Sequence, residues 1–110
     1  MSALIKLCEI SALASGFPLR VEVAGRPPLA VYAHAGEYYV TDDTCTHGLA
    51  SLCDGYQDGE VIECPFHGGK FSIKTGAALE YPCTEAIRSY AAAVDAGYVW
   101  IAAETSPEIG

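Results

Sequence analysis

The residues that could do chemistry sit in two short boxes, Cys45-Thr-His47-Gly48 and Cys64-Pro-Phe-His67-Gly68-Gly69. Each box holds one Cys and one His, spaced C-x-H in the first and C-x-x-H in the second. A thiolate is a soft anionic ligand and an imidazole a neutral one, so Cys45, His47, Cys64 and His67 are candidate metal ligands. Two arrangements suit that set. A structural zinc site takes four such ligands in a tetrahedron, although zinc-binding chains commonly pair Cys with Cys and His with His along the sequence. A [2Fe–2S] centre with two thiolates on one iron and two imidazoles on the other asks each loop for one ligand of each kind. The alternation found here is the latter pattern. Gly48, Pro65, Gly68 and Gly69 flank the pairs; glycine lets backbone turn tightly and approach a ligand closely.

The elements that must position these boxes read as short strands and turns. Leu4–Cys8, Leu19–Val23, Leu29–His34, Glu37–Thr41, Glu60–Cys64, Lys70–Ile73, Ile87–Val94 and Tyr98–Ala102 show alternation or β-branched and aromatic enrichment. Ala35-Gly36 and Asp95-Ala96-Gly97 are hairpin signals, and Asp58-Gly59 and Thr75-Gly76 add turns. The only candidate helical turn lies near Ile10–Ala14. This spacing predicts an all-β sandwich or barrel with both boxes at loop tips between strands. Residues Glu104–Gly110 are expected to fray.

With 110 residues the chain is expected to be one domain, long enough to bury about two-thirds of its unfolded surface. No apolar run approaches the ~20 residues that cross a bilayer, and Met1-Ser-Ala-Leu-Ile-Lys6 does not read as a signal peptide. A cytoplasmic protein with no membrane partner is expected. Fourteen Asp and Glu against six Lys and Arg leave a net charge of −8. That disfavours nucleic acid as a partner; it serves either plain solubility or steering towards a basic docking face. Besides Cys45 and Cys64 there are Cys8, Cys53 and Cys83, an odd remainder that reads as thiols rather than disulfides in a reducing compartment.

The flanking residues carry a resemblance. CTHGLASL in the first box and CPFHGGKFS in the second are similar to the Rieske [2Fe–2S] family. The likeness extends over roughly Tyr38 to Ala102 and is sharpest at the boxes. It implies one [2Fe–2S] cluster per chain, held by Cys45, His47, Cys64 and His67. It also implies an antiparallel β sandwich or barrel base carrying a small cluster-binding subdomain made of two ligand loops. Residues 1–110 would be a single Rieske domain, with the subdomain at about 43–82. Glu80-Tyr-Pro-Cys83 corresponds to the loop that covers the cluster in the family.

The same resemblance separates classes. High-potential relatives carry an extra Cys in each box, joined as a disulfide, and Ser and Tyr hydroxyls that donate to cluster sulfur. The matching positions here are Ala50 and Phe66, and Gly69 and Phe71. These departures point to the low-potential class, and the boxes resemble the Rieske ferredoxins of bacterial aromatic-ring-hydroxylating dioxygenase systems.

Histidine arithmetic argues against an oxygenase in its own right. A mononuclear iron needs two His and a carboxylate, and beyond the two box histidines only His34 exists. A G-x-G-x-x-G turn is also lacking, so nothing signals a dinucleotide fold. With those readings set aside, the resemblance implies not an enzyme but a one-electron carrier from an NAD(P)H-dependent flavoprotein or iron–sulfur flavoprotein reductase to a terminal ring-hydroxylating oxygenase. The alternatives are the small Rieske-like subunit of an assimilatory nitrite reductase and a zinc-binding interaction module. Leu49 and Phe66 read as loop packing or docking contacts, Lys70 and Lys74 as solvated charges, and Tyr90 and Trp100 as core or half-buried strand residues. Cys8 reads as a small buried hydrophobe. Cys53 and Cys83 read as cluster neighbours that do not ligate it, and His34 as an ordinary strand residue.

Overall fold

The computed structural model describes residues 4–14, 16–46, 50–65, 68–81 and 85–102. Their strands are β1 (Leu4–Glu9), β2 (Leu19–Val21), β3 (Leu29–His34), β4 (Glu37–Asp42), β5 (Tyr56–Asp58), β6 (Val61–Glu63), β7 (Lys70–Ser72), β8 (Ala78–Glu80), β9 (Ser89–Tyr90), β10 (Ala93–Asp95) and β11 (Tyr98–Ala102). They form three antiparallel sheets, ordered β1-β11-β10, β2-β3-β4-β9 and β5-β6-β7-β8. The fold is all-β, as the turn spacing predicts.

The run Leu29-Ala-Val-Tyr32 in β3 explains how one chain builds two cores. Successive side chains of a strand point to opposite faces, and all four residues are fully buried. Leu29 and Val31 pack with Val40, Tyr90, Val99 and Ile101 in the base. Ala30 and Tyr32 face the other way and join Cys45, Ala50, Leu52, Ile62, Cys64, Phe71, Ile73 and Ile87. A strand apolar on both faces is a shared wall. The hairpin from β3 to β4 turns through Ala35 and Gly36, at φ 54° and 80°, which is the positive-φ pair that matches the twist of two antiparallel strands.

The pairing of β9 with β4 sets the path to the site. The chain leaves β4 at Asp42, makes both ligand loops and the β5–β8 sheet, and returns to lay Tyr90 opposite Val40 and Ser89 opposite Thr41. The Asp42 N–H donates to the Arg88 carbonyl at 3.0 Å and closes that excursion at its root. Tyr90 is buried as expected, its hydroxyl donating to Asp42 Oδ1 at 2.6 Å. Trp100 is half-buried, with Nε1 donating to the Asp95 carbonyl.

The structure also departs from the pattern in the sequence. Ile87–Val94 is not one strand: β9 and β10 lie in different sheets, because Tyr90 faces the base core while Ala93 pairs with Trp100. Strands β5 and β8, three residues each, give no strand signal in the sequence, since Tyr56-Gln-Asp58 and Ala78-Leu-Glu80 lack a β-branched or apolar run. The helical turn at Ile10–Ala12 is 3₁₀, and a second 3₁₀ turn at Leu52–Asp54 follows the first ligand box. Lys70 and Lys74 are solvated charges as expected, each also near a carboxylate, Glu80 at 3.8 Å and Glu60 at 3.6 Å.

Candidate metal centre

Cys45 and Cys64 arrive from different elements but are held alike. Cys45 lies in the connection from β4 to β5, where its N–H donates to the Ala50 carbonyl at 2.9 Å. Cys64 directly follows β6, where its N–H donates to the Gly69 carbonyl at 2.7 Å. Each Cys therefore opens a tight loop closed onto the fifth residue after it, and each loop contains the His of its box. Both cysteines are almost fully buried, at 3% and 2% exposure, within one core that also includes Ala50 and Phe71. His47, Gly48, Leu49, Phe66, His67, Pro82 and Cys83 lie outside the described residues, as does the segment 103–110.

The two loops are braced against one another. Gly55 ends the 3₁₀ turn after the first box, and its Cα presses on the backbone of Glu63, the residue before Cys64. A Cβ at Gly55 would overlap the Glu63 carbonyl oxygen. Gly68 takes φ 77° in the second loop, a conformation that suits glycine; the Gly68 N–H returns to the Cys64 carbonyl at 3.2 Å. Thr46 donates its hydroxyl to the Glu85 carbonyl at 2.7 Å, tying the first loop to the segment that follows residues 82–84.

Beneath the first loop lies Asp43, 1% exposed. Its Oδ2 accepts the Ser51 hydroxyl at 2.6 Å, and its Oδ1 accepts the Cys53 N–H at 3.0 Å. Arg20 of β2 reaches Oδ2 with Nε at 3.7 Å. The Cys53 thiol is pushed well above its usual range, first by burial and then by its hydrogen bond to the Asp43 carboxylate. Only a thiolate ligates metal, so this environment keeps Cys53 a protonated thiol. Burial likewise raises the Tyr32 hydroxyl, which shares a hydrogen bond with Thr41 at 2.9 Å. Cys8 is half-buried on β1, its thiol also raised by burial. His34 ends β3, opposite Glu37 and away from both cysteine loops in the sheet order.

Two contiguous clefts flank the second loop. One, of about 230 Å³, is lined by Asp54, Tyr56, Glu63, Cys64 and Pro65 among others. The next, of about 210 Å³, is lined by Tyr56, Asp58, Glu63, Lys70, Leu79 and Glu80 with Val61. Tyr56 and Leu79, both exposed, line these clefts. Acidic groups thus surround an apolar surface that reaches a candidate iron ligand.

Two buried cysteines at the mouths of similarly closed loops, each loop also bearing a histidine in sequence, offer the ligand types that a [2Fe–2S] centre with mixed ligation requires. The Rieske [2Fe–2S] domain family matches residues 3–91, and the chain belongs to that family. Within it, the chain is 46% identical over 100 residues to Ferredoxin CarAc of Metapseudomonas resinovorans, covering 91% of this chain and 94% of that protein. The structure is similar to a Sphingomonas yanoikuyae B1 ferredoxin, with TM-score 0.89 and 48% identity over 91% of this chain and 98% of that one. It is similar, too, to a chain in a complex of reduced oxygenase and oxidised ferredoxin in carbazole 1,9a-dioxygenase: TM-score 0.89, 44% identity, 98% of this chain and 100% of that one. A putative NADH-dependent nitrite reductase small subunit from Mycobacterium tuberculosis shares the fold, with TM-score 0.81 over 96% of this chain and 99% of that one, but at only 18% identity.

No described helix is long and apolar enough to cross a membrane. Sequence reasoning found the two cysteines and missed Asp43, Arg20, Ser51 and Gly55. Asp43 stands in Asp-Asp-Thr-Cys, which reads locally as an ordinary turn. Arg20 comes from a different strand, and no local signal ties it to the box.

Proposed function

We propose that this Rieske ferredoxin carries single electrons from an NAD(P)H-dependent reductase to a terminal ring-hydroxylating oxygenase in the cytoplasm. Cys45 and Cys64 would hold one iron, and His47 and His67 the other. When bound, the group supplies one-electron chemistry at a potential set by its ligands and their hydrogen bonds. The chain's own residues do the rest. The two i to i+5 hydrogen bonds orient the cysteines, the apolar core of Ile62, Phe71 and Ile73 excludes water from their inner side, and the loops carry the histidines. Residues 1–110 act as one domain, with the segment at about 43–82 as the cluster-binding subdomain. The closure of β4 on β9 at the root of that excursion supports this division.

The observation that carries the reading is the matched closure of the two loops around buried cysteines, in a chain similar over nearly its whole length to a ferredoxin seen with an oxygenase. The acidic, aromatic surface beside Cys64 supports a basic docking face on the partner. Reconstitution tests it. The holoprotein should be red-brown and should couple NADH oxidation to hydroxylation of an aromatic substrate when mixed with a cognate reductase and oxygenase. A colourless, zinc-loaded protein, or reductase and oxygenase that turn over equally well without it, would overturn the reading.

A further inference from the structure

Asp43 is a buried carboxylate that the electron-carrier reading does not use. It sits where β4 becomes the first ligand loop, two residues before Cys45, and everything it touches belongs to that loop or braces it. The Asp43 carbonyl accepts the Leu52 N–H at 2.7 Å, and its own N–H donates to the Pro28 carbonyl at 3.0 Å. Its side chain binds the Ser51 hydroxyl and the Cys53 N–H across the loop's stem, next to the bridge between Thr44 and Ser51. A carboxylate this deep needs charge as well as hydrogen bonds to compensate it. Arg20 supplies that charge from β2 at 3.7 Å, with 49% of its side chain exposed, while also pairing with Glu22 at 3.4 Å. Ser51 and Cys53 from one short segment and Arg20 from β2 converge on one carboxylate.

We propose that Asp43 is the positioning residue of the first ligand loop, and that its charge, balanced by Arg20, helps to set the reduction potential of the centre. The inference rests on Cys45 being a ligand. A full negative charge in a poorly solvated position beneath the loop opposes the extra negative charge of the reduced centre; the guanidinium beside it offsets that opposition. Removing each charge should therefore move the potential in opposite directions.

The experiment uses holoprotein and reads iron content, the electron paramagnetic resonance spectrum and the midpoint potential at fixed pH. Asp43→Ala removes every side-chain acceptor and should cost most of the bound iron. Asp43→Asn keeps the shape, an acceptor for the Cys53 N–H and a partner for Ser51, so it should restore iron binding. It should also shift the oxidised–reduced equilibrium about tenfold towards reduction, or ~59 mV upward for one electron. Arg20→Gln leaves the loop contacts in place and should shift the potential downward by about threefold, or roughly 28 mV, less because the guanidinium is half in solvent. Iron loss in Asp43→Asn as well as in Asp43→Ala would overturn the claim that Asp43 positions the loop through the shape and acceptors of its side chain. Wild-type potential and iron content in Asp43→Asn, or an unmoved potential in Arg20→Gln, would overturn the proposal. A Cys45→Ser variant that kept the wild-type spectrum would instead overturn the ligand set, so the two failures are distinguishable.

Discussion

The two faces of β3 lead into regions built on different principles. On the base side, β1 and β11 are six and five residues long, and Leu29, Val31, Val40, Val99 and Ile101 fill the core with aliphatic side chains. On the ligand side, β5, β6, β7 and β8 have three residues each. That core is apolar too, with Tyr32, Leu52, Ile62, Phe71, Ile73 and Ile87 packed around two cysteines, but the loops above it are held by an ion pair and single hydrogen bonds. A buried aliphatic side chain contributes about 1.5–3 kcal/mol by leaving water, whereas a typical hydrogen bond contributes about 1 kcal/mol net. Both cores are therefore held by apolar burial, and the difference between the two sides lies in the ligand loops, which depend on weaker polar contacts.

The sharpest way to break this comparison is to remove ligands. Cys45→Ser, Cys64→Ser, His47→Ala and His67→Ala should each abolish the Rieske absorption and paramagnetic spectra, while the Cys53→Ser/Cys83→Ser double variant should keep them. Loss of the spectra in that double variant would show that the ligand set is wrong. Chelating the iron from wild-type protein should come next in size. Amide hydrogen exchange in β5–β8 should accelerate strongly while β3, β4 and β11 stay protected, since local openings draw on local contacts. Equal acceleration in both regions would erase the distinction between them.

Leu29→Ala inverts the test. It hollows the base and should lower unfolding stability by about 2–5 kcal/mol, with the midpoint potential of the holoprotein unchanged. Denaturant titration and voltammetry on one sample would read both, and a shifted potential would mean that the two sides are coupled. Phe71→Tyr acts on the ligand side alone. Phe71 is fully buried in the core shared with Cys45 and Cys64, and a hydroxyl buried there needs an acceptor. If cluster sulfur accepts it with ~1.4 kcal/mol in favour of the reduced state, the potential should rise by about 59 mV from a wild-type value near −150 mV. An unchanged potential with the cluster intact would mean that residue 71 does not face the ligand sulfur, and a wild-type value above zero would sink the low-potential assignment. The smallest effect should come from salt. Exposed charges are screened over ~10 Å at 0.1 M, so electron uptake from the reductase should slow as salt rises. Salt-independent rates would leave the −8 charge as a matter of solubility.

Residue types at fixed spacings made much of this protein legible in its sequence. Cys45, His47, Cys64 and His67 are close enough within each box for the chemistry to be read without a fold, because each pair needs only one loop. Strands of five or six residues, such as β3, β4 and β11, declare themselves through alternation and apolar runs, and the positive-φ turns through glycine. Tertiary structure alone decided what depends on distant partners. Strands β5 and β8 exist because neighbours supply their hydrogen bonds, and the run Ile87–Val94 divides because its two halves find different sheets. Gly55 is required by the Glu63 carbonyl pressed against it. Asp43 acquires its role only when Arg20, Ser51 and Cys53 close around it. Local propensity and ligand chemistry are properties of a few neighbouring residues; a buried charge and a close backbone approach are properties of the packed chain.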